Sequence, residues 1–264
     1  MTSHSNKPIK TAPAYHNSVF IESDDGRPLR ILAEYLEPLS RLEREGVRDT
    51  IVFFGSARLK EDGPLGQYYE DARLLARHLT EWSRGLSESK RFVICSGGGG
   101  GIMEAANRGA AEAGGSTIGF NIGLPHEQRP NTYVTTSLLF EFHYFFMRKL
   151  WFSHLARALV VFPGGFGTLD EMMEMLTLAQ TRKIDREILI ILYGSAYWKE
   201  VINFDSLVKH GMIAREDLKL IHYVDDVQSA FGLLKKRLPI EKEVNSLAIA
   251  PVNFSKRRTE GSSL

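Results

Sequence analysis

The sequence predicts an α/β fold of the Rossmann-like type, with one parallel sheet that carries helices on both faces. Short apolar runs, too apolar for strands with one solvated face, alternate along the chain with segments of helical periodicity. Glycine-rich turns follow two of these runs and lead into helices. Because strands that alternate with helices form βαβ units, the strands should run parallel. The predicted strands lie near 51–55, 92–96, 117–121, 158–162 and 187–192.

The helices are predicted from the spacing of apolar residues between and after these strands. A helix rich in aromatic residues, 140–155, precedes the fourth strand. Another begins at Thr168, after a glycine-rich turn, and continues to 181. The other predicted helices are 67–82, 101–114, 198–210 and 226–237.

Composition and charge exclude several classes of function. The 264 residues include 33 Lys and Arg against 32 Asp and Glu, so no overall field attracts nucleic acid or an anionic membrane. The single cysteine, Cys95, allows no internal disulfide and fits a reducing cytoplasm. Neither a signal peptide nor an apolar run of membrane-spanning length is found, so a cytoplasmic location is expected.

Both ends of the chain are polar and lack a clear apolar period. We therefore expect a flexible N-terminal arm over 1–27 and a flexible C-terminal tail over 239–264. Residues 28–238 are predicted to form a single Rossmann-like catalytic domain, a size at which one core is sufficient.

In sheets of this kind, ligands bind at the carboxyl ends of the strands. Ser56 and Arg58 follow the first strand and could bind a phosphate or carboxylate, although an ordinary turn with a surface arginine is the stronger interpretation. Five glycines, Gly97–Gly101, follow the second strand and open a helix, which suits a phosphate or ribose. A flexible turn is the alternative. Five consecutive glycines are costly in chain entropy, which favours a ligand.

A polar segment, 123–130, follows the third strand. Its Glu127 could accept hydrogen bonds from sugar hydroxyls or a base, and an ordinary surface loop is an equally good interpretation. No metal site is expected, because His143 has no second ligand at the spacing that a helix requires.

The predicted aromatic helix carries Glu141, Tyr144 and Arg148, which would share one face at helical spacing. Its aromatic residues surround the helix axis, so burial on more than one face is expected. This pattern favours either the core or a subunit contact, and we expect a homodimer or a larger homo-oligomer.

The segment 163–171 follows the fourth strand and contains three glycines and a threonine ahead of a helix. Backbone N–H groups of Gly165, Gly167 and Thr168, with the Thr168 hydroxyl, could hold a phosphate. The alternative is a capping box, in which Glu171 only bonds the backbone of Thr168. That alternative does not account for the glycines.

Three segments, SGGGGGIMEAANRGA at 96–110, MRK at 147–149 and PGGFGTLDE at 163–171, resemble the Lonely Guy (LOG) family, in particular its longer branch. These proteins were once labelled lysine decarboxylases. The resemblance covers roughly 51–193. It implies hydrolysis of the N-glycosidic bond of nucleoside 5′-monophosphates, including cytokinin ribotides and AMP, to the free base and ribose 5-phosphate. No cofactor is implied, and no lysine is marked out for pyridoxal phosphate.

By position, the resemblance implies that Arg148 and Glu171 are catalytic. Glu127 matches a substrate-binding glutamate through a looser alignment, since its spacing to Arg148 differs by a few residues. The predicted substrate-binding residues are Ser56, Arg58, Gly97, Gly98, Gly99, Gly101, Met103, Glu127, Lys149, Gly165, Phe166, Gly167, Thr168, Leu169, Asp170 and Thr177.

The chemistry fits these residues, because breaking a glycosidic bond builds positive charge on the ribose. The Glu171 carboxylate can stabilise that charge or activate water, and Arg148 can neutralise the phosphate or orient Glu171. No residue can be assigned from the sequence as the proton donor for the leaving base. The second hypothesis is a nucleotide or cofactor carrier on the same scaffold. The presence of both Arg148 and Glu171 favours the enzyme, since a carrier needs no carboxylate.

Overall fold

A computed structural model of the chain describes residues 11–86, 91–123, 129–184 and 186–238. A seven-stranded parallel sheet forms its centre, in the order β4-β3-β2-β1-β5-β6-β7. This architecture confirms the predicted Rossmann-like class. The strands are β1 (Thr50–Phe54), β2 (Val93–Ser96), β3 (Thr117–Ile122), β4 (Leu139–Phe142), β5 (Ala156–Val161), β6 (Leu189–Tyr193) and β7 (Ile221–Val224).

Helices cover both faces of the sheet. Successive residues of β1 alternate between two apolar cores: Val52 and Phe54 lie in one, Ile51 and Phe53 in the other. This alternation explains why the strands are apolar throughout. The helices are α1 (Ser18–Glu22), α2 (Arg27–Arg44), α3 (Gly66–Arg84), α4 (Ile102–Glu112), α5 (Phe145–Leu155), α6 (Phe166–Gln180), α7 (Ser195–Val201), α8 (Phe204–Lys209) and α9 (Val227–Arg237).

The predicted helix 140–155 is wrong over its first turn. Leu139–Phe142 forms strand β4, which pairs with β3, and the helix begins only at Phe145. Phe140 and Phe142 are buried while Glu141 between them is exposed, which is the two-residue period of a strand. Glu141 therefore does not share a helix face with Arg148.

Three further elements differ from the sequence interpretation. Helix α2 and the edge strand β7 were not predicted. The predicted helix 198–210 is two short helices, α7 and α8, and Asn203 caps the second by accepting a hydrogen bond from Ser206 N at 2.9 Å.

Helix α2 packs beside α5 and binds the residues that lead into α5 through hydrogen bonds. The Glu34 carboxylate accepts hydrogen bonds from the backbone N–H groups of His143 at 2.7 Å and Tyr144 at 3.2 Å. The Trp151 indole N–H donates to the Glu34 carbonyl at 3.0 Å. Because α5 carries Arg148, this contact reaches the predicted site.

The division into arm, domain and tail stays a prediction, and residues 1–10 and 239–264 lie outside the described part. Within the predicted arm, 14–16 and Ser18–Glu22 are helical, and Arg30 donates hydrogen bonds to the carbonyls of Ile21 and Ser23. None of the helices in the described ranges combines the length and apolarity needed to cross a bilayer.

Candidate active site

The loops that follow β1, β2 and β5 meet at the carboxyl edge of the sheet, as the sequence interpretation requires. Ser56 lies where they join: its N–H donates to the Pro163 carbonyl at 3.0 Å, and its carbonyl accepts from Ile102 N at 3.1 Å. Its hydroxyl accepts a hydrogen bond from Arg58 N at 3.1 Å, while the Arg58 side chain is exposed. Ser56 thus links Ile102 and Pro163, the residues that flank the glycine-rich segments 97–101 and 164–167.

The first glycine loop, Gly97–Gly101, packs against other parts of the protein. A Cβ on Gly101 would lie 2.2 Å from the Ser56 carbonyl oxygen, and Gly101 has a φ of +63°. Gly98 has a φ of +71° and contacts the backbone of Gly119. A Cβ on Gly97 would lie 2.4 Å from Arg148 Nη2. Packing and backbone conformation therefore explain at least three of these glycines without a ligand.

A buried polar network, which sequence reasoning missed, holds this loop in place through hydrogen bonds. Asn107 of α4 is fully buried, and its Oδ1 accepts from Ser96 Oγ at 2.7 Å and from Asn131 Nδ2 at 2.9 Å. Its Nδ2 donates to Thr117 Oγ1 at 2.5 Å. One signal was available: Asn107 lies on the small-residue face of α4, where a polar side chain needs buried partners.

Arg148 lies at the centre of the site with its guanidinium held on several sides. Its Nε donates to the Phe120 carbonyl within β3 at 2.7 Å. Its Nη1 lies 3.3 Å from Glu171 Oε1, and the guanidinium lies over the Phe152 ring, 5.2 Å from its centroid. Only 11% of the side chain is exposed, so the charge is held in one orientation.

Glu171 lies inside α6 and does not cap it. The N-cap is Gly165, without a side-chain cap hydrogen bond, and Thr168 is the third residue of the helix. The capping-box alternative is therefore wrong. Only 15% of the Glu171 side chain is exposed. Burial raises the pKa of Glu171 to about 7, and Arg148 opposes the rise by stabilising the carboxylate.

The second glycine loop, Gly164–Gly167, differs from the first because it lies open at the start of α6. A Cβ on Gly165 or Gly167 would meet no atom within 4 Å, and Phe166 is 92% exposed. The first N–H of the helix with a backbone acceptor is that of Leu169, which bonds Gly165 O at 3.0 Å. Tyr197 fixes the closed end of the loop by donating its hydroxyl hydrogen to Gly164 O at 2.8 Å.

The structure places the other predicted residues in three kinds of position: against the first glycine loop or the core, on the outer side of the site, and farther along α6. Met103 lies beside Gly97 and belongs to the site, and Leu169 packs against the core. Lys149 lies on the outer side, where its Nζ is 2.6 Å from Asp170 Oδ2 and 3.1 Å from Glu174 Oε2. The structure does not bring Thr177 to the centre: it is exposed farther along α6 and donates to Met173 O at 2.8 Å.

Glu127 lies outside the described residues, so its predicted role stays untested. Within the ranges that the structure describes, no group of three or more His, Cys, Asp or Glu residues could hold a metal ion.

The family model described as possible lysine decarboxylase matches residues 103–234, half of the chain and all of α5 and α6. The chain belongs to this family, the Lonely Guy family. This membership agrees with the resemblance carried by the two glycine loops and the Arg148–Lys149 pair.

The Lonely Guy relatives of known name are distant in sequence. A probable cytokinin riboside 5′-monophosphate phosphoribohydrolase of Oryza sativa subsp. japonica is 26% identical over 76% of this chain and 77% of its own. A cytokinin riboside 5′-monophosphate phosphoribohydrolase of Arabidopsis thaliana is 26% identical over 74% of this chain and 84% of its own.

The fold is shared with a solved structure. The crystal structure of TM1055, a structural genomics target, has a TM-score of 0.51 and 20% identity, and the match covers 71% of this chain and 99% of that one. A molybdenum cofactor carrier protein from Chlamydomonas reinhardtii has a TM-score of 0.49 and 22% identity, over 72% of this chain and 96% of that one.

Proposed function

We propose that this protein hydrolyses the N-glycosidic bond of nucleoside 5′-monophosphates, AMP or cytokinin riboside 5′-monophosphates, to the free base and ribose 5-phosphate. One observation carries the proposal: the Glu171 carboxylate, whose side chain is only 15% exposed, is paired with Arg148 beside the open start of α6. The relatives named as phosphoribohydrolases support the same class of reaction.

The start of α6 is the proposed phosphate site. The N–H groups of Gly167 and Thr168 have no acceptor among the described residues, and the helix dipole adds positive potential there. Gly165 and Gly167 have open space where their Cβ atoms would lie. A phosphate can therefore approach the backbone closely, which a side chain at either position would prevent.

Glu171 is the proposed base and electrostatic stabiliser. A water oxygen attacks C1′ of the ribose, the C1′–N bond breaks, and its electron pair leaves with the base nitrogen, which takes up a proton. The Glu171 carboxylate accepts a proton from the attacking water and stabilises the positive charge on the ribose. Its pKa of about 7 is suited to this exchange near neutral pH, since both protonation states are then populated.

Arg148 has a supporting role in this scheme. Its guanidinium keeps part of Glu171 ionised, and its positive charge lies where it can attract the anionic substrate. Lys149 is already paired with Asp170 and Glu174, so it contributes to the surrounding potential more than to a direct contact.

A second copy of the chain is the proposed partner. Phe145 and Phe146 of α5 are 53% and 51% exposed, and Leu150, Phe166 and Met173 add to the exposed apolar residues of α5 and α6. We expect a homodimer or larger in the cytoplasm, where the buried thiol of Cys95 stays reduced. Light scattering at micromolar concentration measures the mass, and a monomer would contradict this assignment.

The deciding experiment is the substitution Glu171→Gln, assayed by chromatography of the free base from AMP. Glutamine keeps the side-chain length but cannot accept the proton, so kcat should fall on the order of a hundredfold or more while AMP still binds. Adenosine, which lacks the phosphate, should react at least about tenfold more slowly than AMP with the wild-type protein.

Glu112→Gln is the matched control. Glu112 also pairs with an arginine, Arg73 at 2.8 Å, but it lies at the other end of α4, about 15 Å from the start of that helix. Its loss should leave turnover unchanged. Tight AMP binding without base release by the wild-type protein would instead identify a nucleotide carrier.

A further inference from the structure

Asn131 is tied to the first glycine loop by its backbone and by its side chain. Its N–H donates to Gly98 O at 2.7 Å, and its Nδ2 donates to Gly98 O at 3.0 Å and Gly99 O at 2.9 Å. The same Nδ2 reaches Asn107 Oδ1, and its Oδ1 accepts from Tyr133 N at 3.1 Å. The whole carboxamide is therefore engaged, although the residue is only half-buried.

The loop is fixed on its other side by Ser96. Gly98 N donates to Ser96 Oγ at 3.0 Å, and Ser96 Oγ donates to Asn107 Oδ1 at 2.7 Å. Both polar groups of the Gly98 peptide backbone are thus bound to side chains within one network. A glycine segment with this many fixed groups loses the freedom that glycine normally brings.

The fixed loop forms one wall of the Arg148 position. The guanidinium lies so close to Gly97 that a Cβ there would be 2.4 Å from Nη2. On other sides it meets Phe120 O, the Phe152 ring and Glu171. If the loop could move outward, the guanidinium would gain room to turn away from Glu171.

We propose that Asn131 is a positioning residue, which holds the first glycine loop against Arg148 and thereby keeps the guanidinium beside Glu171. The first glycine loop would then act mainly as a support for Arg148, while the second binds the phosphate. The catalytic meaning of the Arg148–Glu171 pair rests on the proposed function. The NMR test of Asn131 does not, because it measures the pKa of Glu171 and not activity.

The test reads the state of Glu171 directly, by titrating its ¹³C-labelled carboxyl group with NMR and assigning the signal through its absence in Glu171→Gln. The charged or titratable groups that influence Glu171 are Arg148 and Lys149 of α5, Asp170 and Glu174 of α6, and Cys95 of β2. Arg148 is the nearest cation, at 3.3 Å, so its displacement removes the main opposition to the raised pKa of Glu171.

In the wild-type protein the midpoint should lie near pH 7, and in Asn131→Ala it should rise by about one unit. Asn203→Ala is the matched control, since it removes a side-chain hydrogen bond of another asparagine, at the start of α8, and should leave the midpoint unchanged. If Asn131→Ala does not fold, Asn131→Leu keeps a similar branched shape and removes both side-chain N–H donors without adding a charge, and the same rise is expected.

The rate of base release provides the second measurement. With AMP as substrate, the acidic limb of the kcat/KM profile should shift to higher pH in Asn131→Ala, in parallel with the NMR midpoint, and kcat should fall more than KM rises. An unchanged Glu171 midpoint in a folded Asn131 variant would overturn the inference. If the wild-type protein releases no base, the proposed function fails, but the NMR comparison still decides whether Asn131 positions Arg148.

Discussion

The two glycine loops of the site have similar sequences and positions but owe their glycines to different causes. In the first loop, a side chain at Gly97 or Gly101 would collide with Arg148 or Ser56. In the second loop, Gly165 and Gly167 face open space, and nothing in the described protein requires them to lack a side chain. The glycines that the fold does not need are therefore the better indicators of a ligand.

The loops also differ in how firmly they are held. Ser96 Oγ accepts a hydrogen bond from Gly98 N, and Asn131 Nδ2 donates one to Gly98 O, so the Gly98 backbone is fixed on both sides. In the second loop, the fixed point is Gly164, which accepts from Tyr197 and packs against Thr168, while the next three residues are exposed. A rigid support for a charged side chain and an open loop, the proposed phosphate site, are thus placed side by side.

Gly101→Ala should have the largest effect, and it should act on folding. The residue would adopt a φ of +63° and place its Cβ 2.2 Å from the Ser56 carbonyl, so a destabilisation of about 3 kcal/mol is expected in urea unfolding. Gly46→Ala is the control, because Gly46 also has a positive φ, +70°, but open space around it. Equal losses in the two variants would mean that the first loop is not tightly packed.

Gly167→Ala should have a smaller effect with the opposite sign on folding. Alanine favours helices over glycine by up to about 1 kcal/mol, so the ligand-free protein should become slightly more stable. AMP binding should weaken about tenfold, because the methyl group occupies space proposed for the phosphate. Thermal unfolding and calorimetric titration measure the two quantities.

Gly232→Ala provides the matched control for this variant. Gly232 lies in α9 with no atom within 4 Å of its Cβ position, far from the loops in sequence. It should gain similar stability and keep its affinity for AMP. If Gly167→Ala bound AMP as tightly as Gly232→Ala does, the distinction between the two loops would lose its functional meaning.

The sequence predicted the central strands because these strands are apolar on both faces. The edge strand β4 was mistaken for helix because its aromatic residues continue into those of α5, and only Glu141 marks the two-residue period. The other edge strand, β7, has just one buried residue, Val224. Helix α2 has a clear helical period, because Ile31, Tyr35 and Leu39 pack against the same core as the buried Leu42, so the sequence contained a signal for this helix.

For the candidate site, sequence and family resemblance identified Arg148 and Glu171, and the structure places these two side chains in contact. Sequence reasoning did not identify Asn131 or Tyr197. Both act on backbone carbonyls of the glycine loops, and a backbone acceptor has no residue type that a sequence pattern could reveal.

The contact of Glu34 with the start of α5 limits how far the chain can be shortened without disturbing the candidate site. The family match begins at 103, which invites grafting or trimming at β1, yet such a cut would remove the carboxylate that receives the His143 and Tyr144 amides. It would also leave the fully buried Trp151 without its acceptor. The helix that carries Arg148 would then begin with orphaned donors, so a shortened form of this chain has to keep α2 from Arg27 onward.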